Sequence, residues 1–284
     1  MQKPQVISDI KEMQVLADRV RTEGKKIGLV PTMGYLHEGH LSLLRAARKA
    51  SDLLVMSLFV NPTQFGPHED YATYPRDFER DLDLASSEGT DIVFAPTAAE
   101  IYPAGYTTWV EVAGLSDKLC GKSRPGHFRG VTTVVTKLFN IVKPHVAFFG
   151  QKDAQQAIII RRMVQDLNMD VNIEVLPTVR EADGLALSSR NVYLNDRERQ
   201  AALVLNRALK AAQELVQSGE RSSAVILSKM SELIGQEPLV VVDYIAITDP
   251  LTLEDLEKID SKALIALAAK VGKTRLIDNC MVDL

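Results

Sequence analysis

Residues 26–60, KIGLVPTMGYLHEGHLSLLRAARKASDLLVMSLFV, contain two strand-like runs on either side of a helical pattern. Residues 26–31 form an apolar run of strand length, and residues 53–60 form a second. Between them, residues 40–50 carry apolar side chains at helical spacing. A buried strand, a helix and another buried strand predict a βαβ unit, in which both strands lie parallel in one sheet.

The same alternation continues to about residue 178. Helices are predicted at 10–22, 76–87, 131–142 and 155–166, and strands at 91–95, 146–149 and 172–176. Strands that alternate with helices predict a parallel sheet with helices on its faces. We therefore expect an α/β fold with a Rossmann-like domain over residues 1–178.

The character of the chain changes after about residue 177. Residues 197–219 and 222–236 predict two helices, and the segments 239–250 and 262–280 suggest strands. We expect a smaller α+β domain over residues 179–284, joined to the first near residues 178–183.

Composition and charge narrow the class of protein. The chain is 46% hydrophobic and carries a formal net charge of -4, which gives no support for a broad basic face that would bind nucleic acid. The start lacks an apolar signal segment, and no stretch reaches the length of a membrane span. Cys120 and Cys280 have no metal-binding or CxxC spacing. These features predict a cytoplasmic protein without nucleic-acid or membrane partners.

The strongest local motif is PTMGYLHEGH at 31–40, between a predicted strand and a predicted helix. Open parallel sheets bind ligands beyond the carboxyl ends of their strands. Gly34 and Gly39 let the backbone approach a phosphate, and the helix directs free N–H groups toward it. His37 and His40 share a helix face and are expected to contact polyphosphate oxygens; the alternative is two loop histidines without a role. Zinc is disfavoured because the spacing is not HExxH and no third ligand is near in sequence.

Three further segments carry groups suited to an anion. GQKD at 150–153 forms a second strand–glycine–helix junction, and its lysine provides a point charge for phosphate. SRPGHFRGV at 123–131 holds two arginines and a histidine, and LSSRN at 187–191 places hydroxyls and a guanidinium at the domain junction. Each segment is equally compatible with an ordinary polar turn. GKS at 121–123 is not a Walker A motif, because Ser116 stands where the first glycine is required.

Neutral amides follow two of the predicted strands. Asn61 and Gln64 come after the strand that ends at residue 60, and Gln155 and Gln156 follow the glycine turn at residue 150. Amides suit the hydroxyls and the carboxylate of a small substrate, although each one is more often an ordinary surface side chain.

Taken together, the motifs resemble the pantothenate synthetase family. The ordered matches cover nearly the whole chain: PTMGYLHEGH at 31–40, FVNPTQF at 59–65, YPR at 74–76, FAP and IYP within 94–103, SRPGHFRGV at 123–131, FGQKDAQQ at 149–156, DGLALSSRN at 183–191 and RLIDN at 275–279. This order makes the resemblance specific, whereas HxGH alone would indicate only the wider nucleotidyltransferase superfamily.

The resemblance implies an activity and its partners. Members of the family have a Rossmann-like ATP domain and a smaller C-terminal lid domain, and they are usually cytoplasmic dimers. They make pantothenate from (R)-pantoate, β-alanine and ATP, with Mg²⁺. We therefore expect an ATP-dependent ligase that forms a pantoyl-adenylate, releases AMP and pyrophosphate, and assembles as a homodimer.

The resemblance also implies roles for individual residues. His40 matches the residue that the family assigns as catalytic. As a hypothesis about the mechanism, we expect further catalytic contacts from His37, Lys152, Ser188, Ser189 and Arg190. ATP contacts are expected from Pro31, Thr32, Met33, Gly34, His37, Gly39, His40, Gly150, Lys152, Asp153, Val179, Leu187, Ser188 and Arg190. Pantoate contacts are expected from Gln64 and Gln156, to which the amide argument adds Asn61; no Mg²⁺ ligand is indicated. Gln151 stands where the family commonly has Glu, and Leu187 where it commonly has Met, and both are expected to touch ATP through backbone or apolar contacts.

Other functions remain open from the residues alone. A different nucleotidyltransferase would attach AMP or CMP to a phosphate ester, without dependence on pantoate. A catalytically silent nucleotide-binding module would bind ATP without releasing pyrophosphate. Aminoacyl-tRNA synthetases share the HxGH motif, but the acidic balance and the absence of an anticodon-sized appendage argue against them.

Overall fold

Six parallel strands form the first sheet of the protein. The structure, a computed structural model, describes residues 3–284. The strands of this sheet are β1 (Gln5–Ile7), β2 (Ile27–Thr32), β3 (Leu53–Leu58), β4 (Ile92–Phe94), β5 (Val146–Gly150) and β6 (Asn172–Leu176). The helices of the same part are α1 (Ile10–Thr22), α2 (Glu38–Ala50), α3 (Phe78–Ser87), α4 (Ala98–Ile101), α5 (Cys120–Ser123), α6 (His127–Val142) and α7 (Ala154–Asp166).

Apolar side chains cover both faces of this sheet. Leu29 of β2 packs in a core with α1, α6 and α7, whereas its neighbour Val30 packs on the opposite face with α2 and α3. Successive side chains of a strand point to opposite faces, so a strand that is buried on both faces is apolar at nearly every position. This arrangement explains the continuous apolar runs of β2 and β3.

The direction of strand order reverses between β2 and β5. The strands are arranged β1-β4-β3-β2-β5-β6, so β3 and β5 lie on opposite sides of β2. Such a topological switch point is where open α/β sheets bind ligands, beyond the carboxyl ends of the strands. Pairing joins Gly28 to Val146 and Leu29 to Ala147, whereas β2 continues to Thr32 and β5 to Gly150. The paired part is therefore shorter than either strand, and it leaves a crevice at the carboxyl ends.

A second, antiparallel sheet follows in the last hundred residues. Its strands β7 (Val240–Thr248), β8 (Ala263–Val271) and β9 (Thr274–Val282) are ordered β7-β8-β9. Helices α8 (Asp196–Gln217) and α9 (Ser223–Gly235) pack on this sheet and form a core of their own with it. Leu264 and Ala266 of β8 instead pack into the core of the first sheet, which fixes the two parts against each other.

The sequence-based fold class is confirmed. The structure has a Rossmann-like parallel sheet and a smaller C-terminal α+β part. The predicted helix at 10–22 is α1, but α6 begins at His127 rather than at 131, because Gly126 in the left-handed conformation (φ 80°) allows a sharp turn directly before it. Met1 and Gln2, which begin the expected first domain, lie outside the described residues. Within residues 3–284, none of the helices combines the length and apolar character needed to cross a bilayer.

Candidate active site

A cavity of about 230 Å³ lies at the carboxyl ends of β2 and β5. All but one of the site residues expected from the sequence line it: Pro31, Thr32, Met33, His37, Gly39, His40, Asn61, Gln64, Gly150, Lys152, Asp153, Gln156, Val179, Leu187, Ser188, Ser189 and Arg190. Gly34, the remaining one, lies behind this lining in the β2–α2 loop. The structure therefore brings residues from five separate segments to the switch point of the sheet.

A larger cavity of about 1010 Å³ adjoins the first one, between the two sheets. Both cavities are lined by Lys152, Asp153, Gln156 and Arg190, so together they form one crevice. The second sheet borders this space through residues that include Tyr244. The crevice thus extends from the carboxyl ends of β2 and β5 to the second sheet.

Two histidines of the β2–α2 loop form a reciprocal cap at the start of α2. His37 is the residue before the helix, and its Nδ1 accepts a hydrogen bond from the backbone N–H of Gly39 at 3.2 Å. The backbone N–H of His37 donates in turn to Nδ1 of His40 at 3.3 Å. The two ring centroids are 4.0 Å apart. The cap therefore fixes both imidazoles where the free N–H groups of the helix point.

This arrangement determines the proton positions of both rings. A ring nitrogen that accepts a hydrogen bond carries no proton, so each neutral ring keeps its proton on Nε2. Burial, reinforced by Lys152, lowers the pKa of His37 to about 4. Burial also holds the pKa of His40 well below its ordinary value, with further contributions from His37 and Lys152. Near neutral pH the pair therefore offers two uncharged Nε2–H donors to the cavity.

The loop before these histidines is held by a buried carboxylate that the sequence did not reveal. Asp81 of α3 is 1% exposed and accepts hydrogen bonds from the backbone N–H groups of Tyr35 and Leu36, both at 2.7 Å. Gly34 has a φ of 84°, and a Cβ there would lie 2.9 Å from the carboxylate of Asp81. Glycine at position 34 thus permits both the left-handed turn and the close approach of Asp81. This role explains why Gly34 lies behind the cavity lining.

Asn279 of β9 holds the turn that carries Lys152. Its Nδ2 donates to the backbone oxygens of Gln151 at 3.0 Å and Lys152 at 2.9 Å, and its Oδ1 accepts from the Gln151 side chain at 2.9 Å. Three hydrogen bonds therefore connect the second sheet to the turn after β5. Because Gln151 uses its side-chain amide for this contact, it is part of the connection between the two sheets.

The guanidinium group of Arg190 is paired with a carboxylate across the crevice. Its Nε and one terminal nitrogen each donate to Asp70 at 2.8 Å. The Ser188 hydroxyl accepts from the backbone N–H of Arg190 at 3.2 Å, and the Ser189 hydroxyl donates to the backbone oxygen of Tyr35 at 3.3 Å. The 188–190 turn is thereby attached to the β2–α2 loop, and its three residues line the same cavity as the two histidines.

The amides after β3 have different surroundings. Asn61 is 1% exposed, and its Nδ2 donates to Gln64 Oε1 at 3.0 Å and to the Gly130 carbonyl at 3.1 Å. The Oδ1 atom of Asn61 accepts from two hydroxyls, so both ends of this amide are used within the protein. The Nε2 atom of Gln64 instead contacts only the weak acceptor Sδ of Met33, at 3.1 Å. Gln64 therefore retains a donor for a ligand.

Glycine at position 130 permits this arrangement of amides. A Cβ there would lie 2.5 Å from the backbone oxygen of Thr63. Only glycine allows α6 to approach the turn after β3 so closely, and that approach places Asn61 and Gln64 against the cavity.

The two neighbouring glutamines of α7 are also distinct. Gln155 accepts from the backbone N–H of Cys120 at 3.0 Å and donates to the carbonyls of Leu115 and Lys118, at 3.1 and 2.7 Å. It therefore holds the segment before α5 in place. Gln156 lines both cavities and is the one of the pair available to a ligand.

A backbone pair forms another wall of the smaller cavity. The N–H of Leu187 donates to the carbonyl of Val179 at 3.0 Å, and both residues line the cavity. Their apolar side chains offer a surface suited to a flat base. Within the part of the chain that the structure describes, no group of three or more His, Cys, Asp or Glu side chains is arranged to hold a metal ion.

Comparisons with known proteins point to one family. The sequence model of the family described as Pantoate-beta-alanine ligase matches residues 5–281. The pantothenate synthetase of Moorella thermoacetica is 61% identical over 93% of this chain and 93% of its own length, and that of Pelotomaculum thermopropionicum is 57% identical over 98% of each.

Solved structures extend the agreement to the fold. The crystal structure of pantothenate synthetase from Thermus thermophilus has a TM-score of 0.93 and 46% identity, over 97% of this chain and 98% of that one. The pantoate-beta-alanine ligase from Francisella tularensis, complexed with beta-gamma ATP and beta-alanine, has a TM-score of 0.81 and 34% identity, over 98% of this chain and 97% of that one. Sequence motifs, fold and both kinds of comparison lead to one conclusion: this chain belongs to the pantoate-beta-alanine ligase family.

Proposed function

We propose that this chain condenses (R)-pantoate with β-alanine at the expense of ATP, through a pantoyl-adenylate, and releases AMP and pyrophosphate. The observation that carries the proposal is the common crevice. His37, His40, Lys152 and the turn at 188–190 all line the cavity at the switch point of the parallel sheet. Membership of the family indicates the reaction. The shared cavity supports the proposal that these groups perform it.

ATP is proposed to bind along the carboxyl ends of β2 and β5. Its base would lie between Val179 and Leu187, against the backbone of Gly150. Its phosphates would lie at the start of α2, where the helix dipole and free N–H groups favour anions. Lys152 adds positive charge at this place, and Arg190 offers the terminal guanidinium nitrogen that Asp70 leaves unbonded. The Ser188 hydroxyl, which accepts within the protein, adds a donor, whereas the Ser189 hydroxyl holds the turn through its bond to Tyr35. Pro31, Thr32, Met33 and Asp153 complete the lining on this side.

Pantoate is proposed to bind beside the ATP phosphates, on the amides of Gln64 and Gln156. Gln64 has a free donor, and Gln156 lines the cavity. Because both ends of Asn61 are already bonded within the protein, we propose that it positions Gln64 and does not itself touch pantoate. This refines the expectation from the sequence, which placed all three amides on the substrate.

The first step needs alignment more than proton transfer. One carboxylate oxygen of pantoate attacks the α-phosphorus, the bond from that phosphorus to the bridging oxygen breaks, and pyrophosphate leaves with the electron pair. A carboxylate is already anionic, so no base is required. Charge develops on the phosphate oxygens, and preorganised donors that face it lower the barrier. The neutral Nε2–H groups of His37 and His40 suit this role, since they donate hydrogen bonds without transferring a proton.

In the second step the amine of β-alanine attacks the acyl carbon of the adenylate. The carbon–oxygen bond to AMP breaks, AMP leaves with the electron pair, and the new amide nitrogen loses its proton to solvent or to the departing phosphate. The adenylate is prone to hydrolysis, so residues 179–284 are proposed to act as a lid domain over residues 1–178. The three hydrogen bonds of Asn279 supply a direct connection between lid and phosphate-binding turn.

Magnesium is proposed to accompany ATP. Mg²⁺ usually binds through substrate phosphates, water and one or two carboxylates, so a complete protein cage is not required. Asp153 fits this need, because its side chain is 48% exposed and lines the crevice beside Lys152. The ion would neutralise charge on the departing pyrophosphate.

The family resemblance also supports two proposals that concern the whole molecule, a homodimer and a cytoplasmic location. Sedimentation equilibrium of the purified chain tests the first. A mass equal to twice 31.4 kDa is expected, and a monomer at all concentrations would refute it.

Pyrophosphate release from ATP tests the proposed reaction. With pantoate alone, we expect one rapid turnover that stops at the enzyme-bound adenylate; with β-alanine added, release becomes continuous. Release that ignores pantoate, or that requires a phosphate ester in its place, would refute the proposal. His40→Ala and Lys152→Ala are each expected to slow the first turnover by roughly 10²–10³, whereas the matched control Lys11→Ala, on exposed helix surface, is expected to leave it unchanged.

A further inference from the structure

The arginines of the segment 123–131 face different surroundings. Arg124 lines both cavities of the crevice. Arg129 instead lies over the ring of Trp109, with its guanidinium carbon 5.0 Å from the ring centroid. Of the two guanidinium groups in this segment, only that of Arg124 therefore borders the crevice.

The Arg124 guanidinium is held in place by the wall of the cavity. One terminal nitrogen donates to the backbone oxygen of Gln64 at 3.3 Å, and the other lies 3.0 Å from Nε2 of His127. Nδ1 of His127 lies 2.8 Å from the same backbone oxygen of Gln64, which can only accept, so the ring proton is on Nδ1 and Nε2 accepts from Arg124. Burial, together with the Arg124 charge, lowers the pKa of His127 to about 3, so the ring is neutral.

A carboxylate occupies the remaining face of this guanidinium. Glu69 accepts from Nε and from one terminal nitrogen of Arg124, both at 2.6 Å. This fork geometry is the one by which arginine recognises carboxylates. The Glu69 side chain is 27% exposed and that of Arg124 15%, so the carboxylate approaches from the open side of a more buried guanidinium.

The proposed reaction includes one charged group that still lacks a partner. β-Alanine carries a carboxylate two methylene groups from the amine that must reach the acyl carbon beside Gln64. Among the described residues, the lysines and arginines that line the smaller cavity are Arg124, Lys152 and Arg190. Lys152 and Arg190 lie on the turns proposed to hold phosphate, whereas Arg124 is bonded to the backbone of Gln64 itself.

We propose that Arg124 binds the carboxylate of the amine substrate, and that Glu69 occupies this carboxylate subsite in the free enzyme. The inference rests on the proposed function, since it assigns the binding group for the second substrate of that reaction. The substrate carboxylate takes the place of Glu69 on Arg124, while the bonds to Gln64 and His127 keep the guanidinium in position. An amine without a carboxylate cannot displace Glu69, so the exchange selects amino acids over simple amines.

The test compares β-alanine with 3-aminopropanamide, which has the same amine and spacing but no negative charge. Steady-state kcat/KM for each amine is measured at saturating ATP and pantoate. A charged group that loses its paired partner costs on the order of 10–100-fold, so the wild-type chain is expected to prefer β-alanine by at least that factor. In Arg124→Gln the two amines are expected to react equally well, and in Arg124→Lys, which keeps the charge but not the fork, the preference is expected to be intermediate.

A second variant tests the competing carboxylate. Glu69→Gln removes the negative charge from the subsite and is expected to lower the KM for β-alanine several-fold, with the KM for pantoate unchanged. The matched control Arg129→Gln is expected to leave the preference between the two amines at its wild-type value. A purely structural role for Arg124 would slow both amines alike and leave their ratio intact.

The outcomes separate this inference from the proposed function. Pantoate-dependent pyrophosphate release without any amine reports on the adenylation step alone. Its absence in the wild-type chain would refute the proposed function. Its presence, with the wild-type ratio of amines retained in Arg124→Gln or with an unchanged KM for β-alanine in Glu69→Gln, would overturn the carboxylate subsite and leave the proposed function standing.

Discussion

Replacement of Gly39 by alanine is expected to disrupt the histidine cap while leaving the stability of the fold nearly unchanged. A Cβ at this position would lie 2.9 Å from both Cε1 and Nδ1 of the His37 ring, closer than real Cβ contacts. The ring must therefore rotate away and give up its hydrogen bond to the backbone N–H of residue 39. Loss of a helix cap costs roughly 0.5–2 kcal/mol, whereas Gly→Ala within a helix gains up to about 1 kcal/mol. The free energy of unfolding is expected to change by about 1 kcal/mol or less.

Activity is expected to respond much more strongly. The displaced ring takes its Nε2–H donor away from the proposed phosphate site, and loss of one such donor costs roughly 10²–10³ in rate. The assay is the first turnover of pantoate-dependent pyrophosphate release, alongside urea unfolding of the same preparation. The control is Gly235→Ala at the end of α9, where a Cβ meets no atom within 4 Å; it should keep full activity. A Gly39→Ala enzyme within a few-fold of wild-type rate would refute the assigned position of the His37 donor.

Four further predictions concern pH and long-range contacts. The pKa of His37 in the folded protein is about 4 and that of His40 is lowered as well, so the unfolded state binds more protons. The contribution of the pair to the free energy of unfolding is therefore present above about pH 6.5 and is lost as pH falls, for His37 through about 4, which acid titration of urea unfolding checks. For the same reason the pyrophosphate release rate should have no inflection near pH 6.5 that depends on His40; such an inflection, abolished in His40→Asn, would contradict the neutral pair. Asn279→Ala removes the bonds to the turn of Lys152 and is expected to raise the KM for ATP roughly tenfold and destabilise the fold by about 1–3 kcal/mol; an unchanged KM would show that the second sheet does not position this turn. Asp81→Asn brings an amide donor against the backbone N–H groups of the β2–α2 loop. The substitution is expected to destabilise the fold by about 1–3 kcal/mol in urea unfolding and to slow the first turnover in rapid-quench experiments. Wild-type values of both would contradict the proposed support of this loop by Asp81.

The sequence predicted the parallel sheet because its strands are buried on both faces. Such strands are continuous apolar runs, and β2, β3 and β5 could be recognised from this signal alone. β1, at the edge of the sheet, has three residues of which one is buried, too few to stand out. The first residues of α2 and α6 were predicted less accurately. The backbone conformations of His37 and Gly126 determine where these helices begin, and hydrophobic periodicity does not reveal those conformations.

The sequence predicted those residues of the candidate site that lie in recognisable local motifs. His37, His40 and Lys152 stand at strand–helix junctions, and the order of strands brings such junctions to one edge. Asp81 and Asn279 were missed, because their partners lie 46 and 128 positions away and their own neighbourhoods look like ordinary helix and strand. The only signal for Asn279 was its place in the RLIDN motif at 275–279.

Residues of the same type near one another could not be ranked from the sequence. Asn61 and Gln64 both looked like substrate amides, and only the structure reveals that the polar atoms of Asn61 are already bonded. Likewise, Arg124 and Arg129 flank one loop, yet one borders the crevice and the other lies on an indole ring. Burial and hydrogen-bond partners decide such cases, and both depend on the folded backbone.

Transfer of oxygen from pantoate to AMP reports which phosphorus of ATP the carboxylate attacks. The crevice is proposed to hold the pantoate carboxylate in line with the α-phosphorus. When pantoate carrying ¹⁸O in its carboxylate is turned over with β-alanine and ATP, mass spectrometry should find one ¹⁸O atom in each AMP and none in pyrophosphate. Unlabelled AMP, or label in inorganic phosphate or pyrophosphate, would mean that the carboxylate is activated elsewhere on ATP, and the account of this site would be wrong.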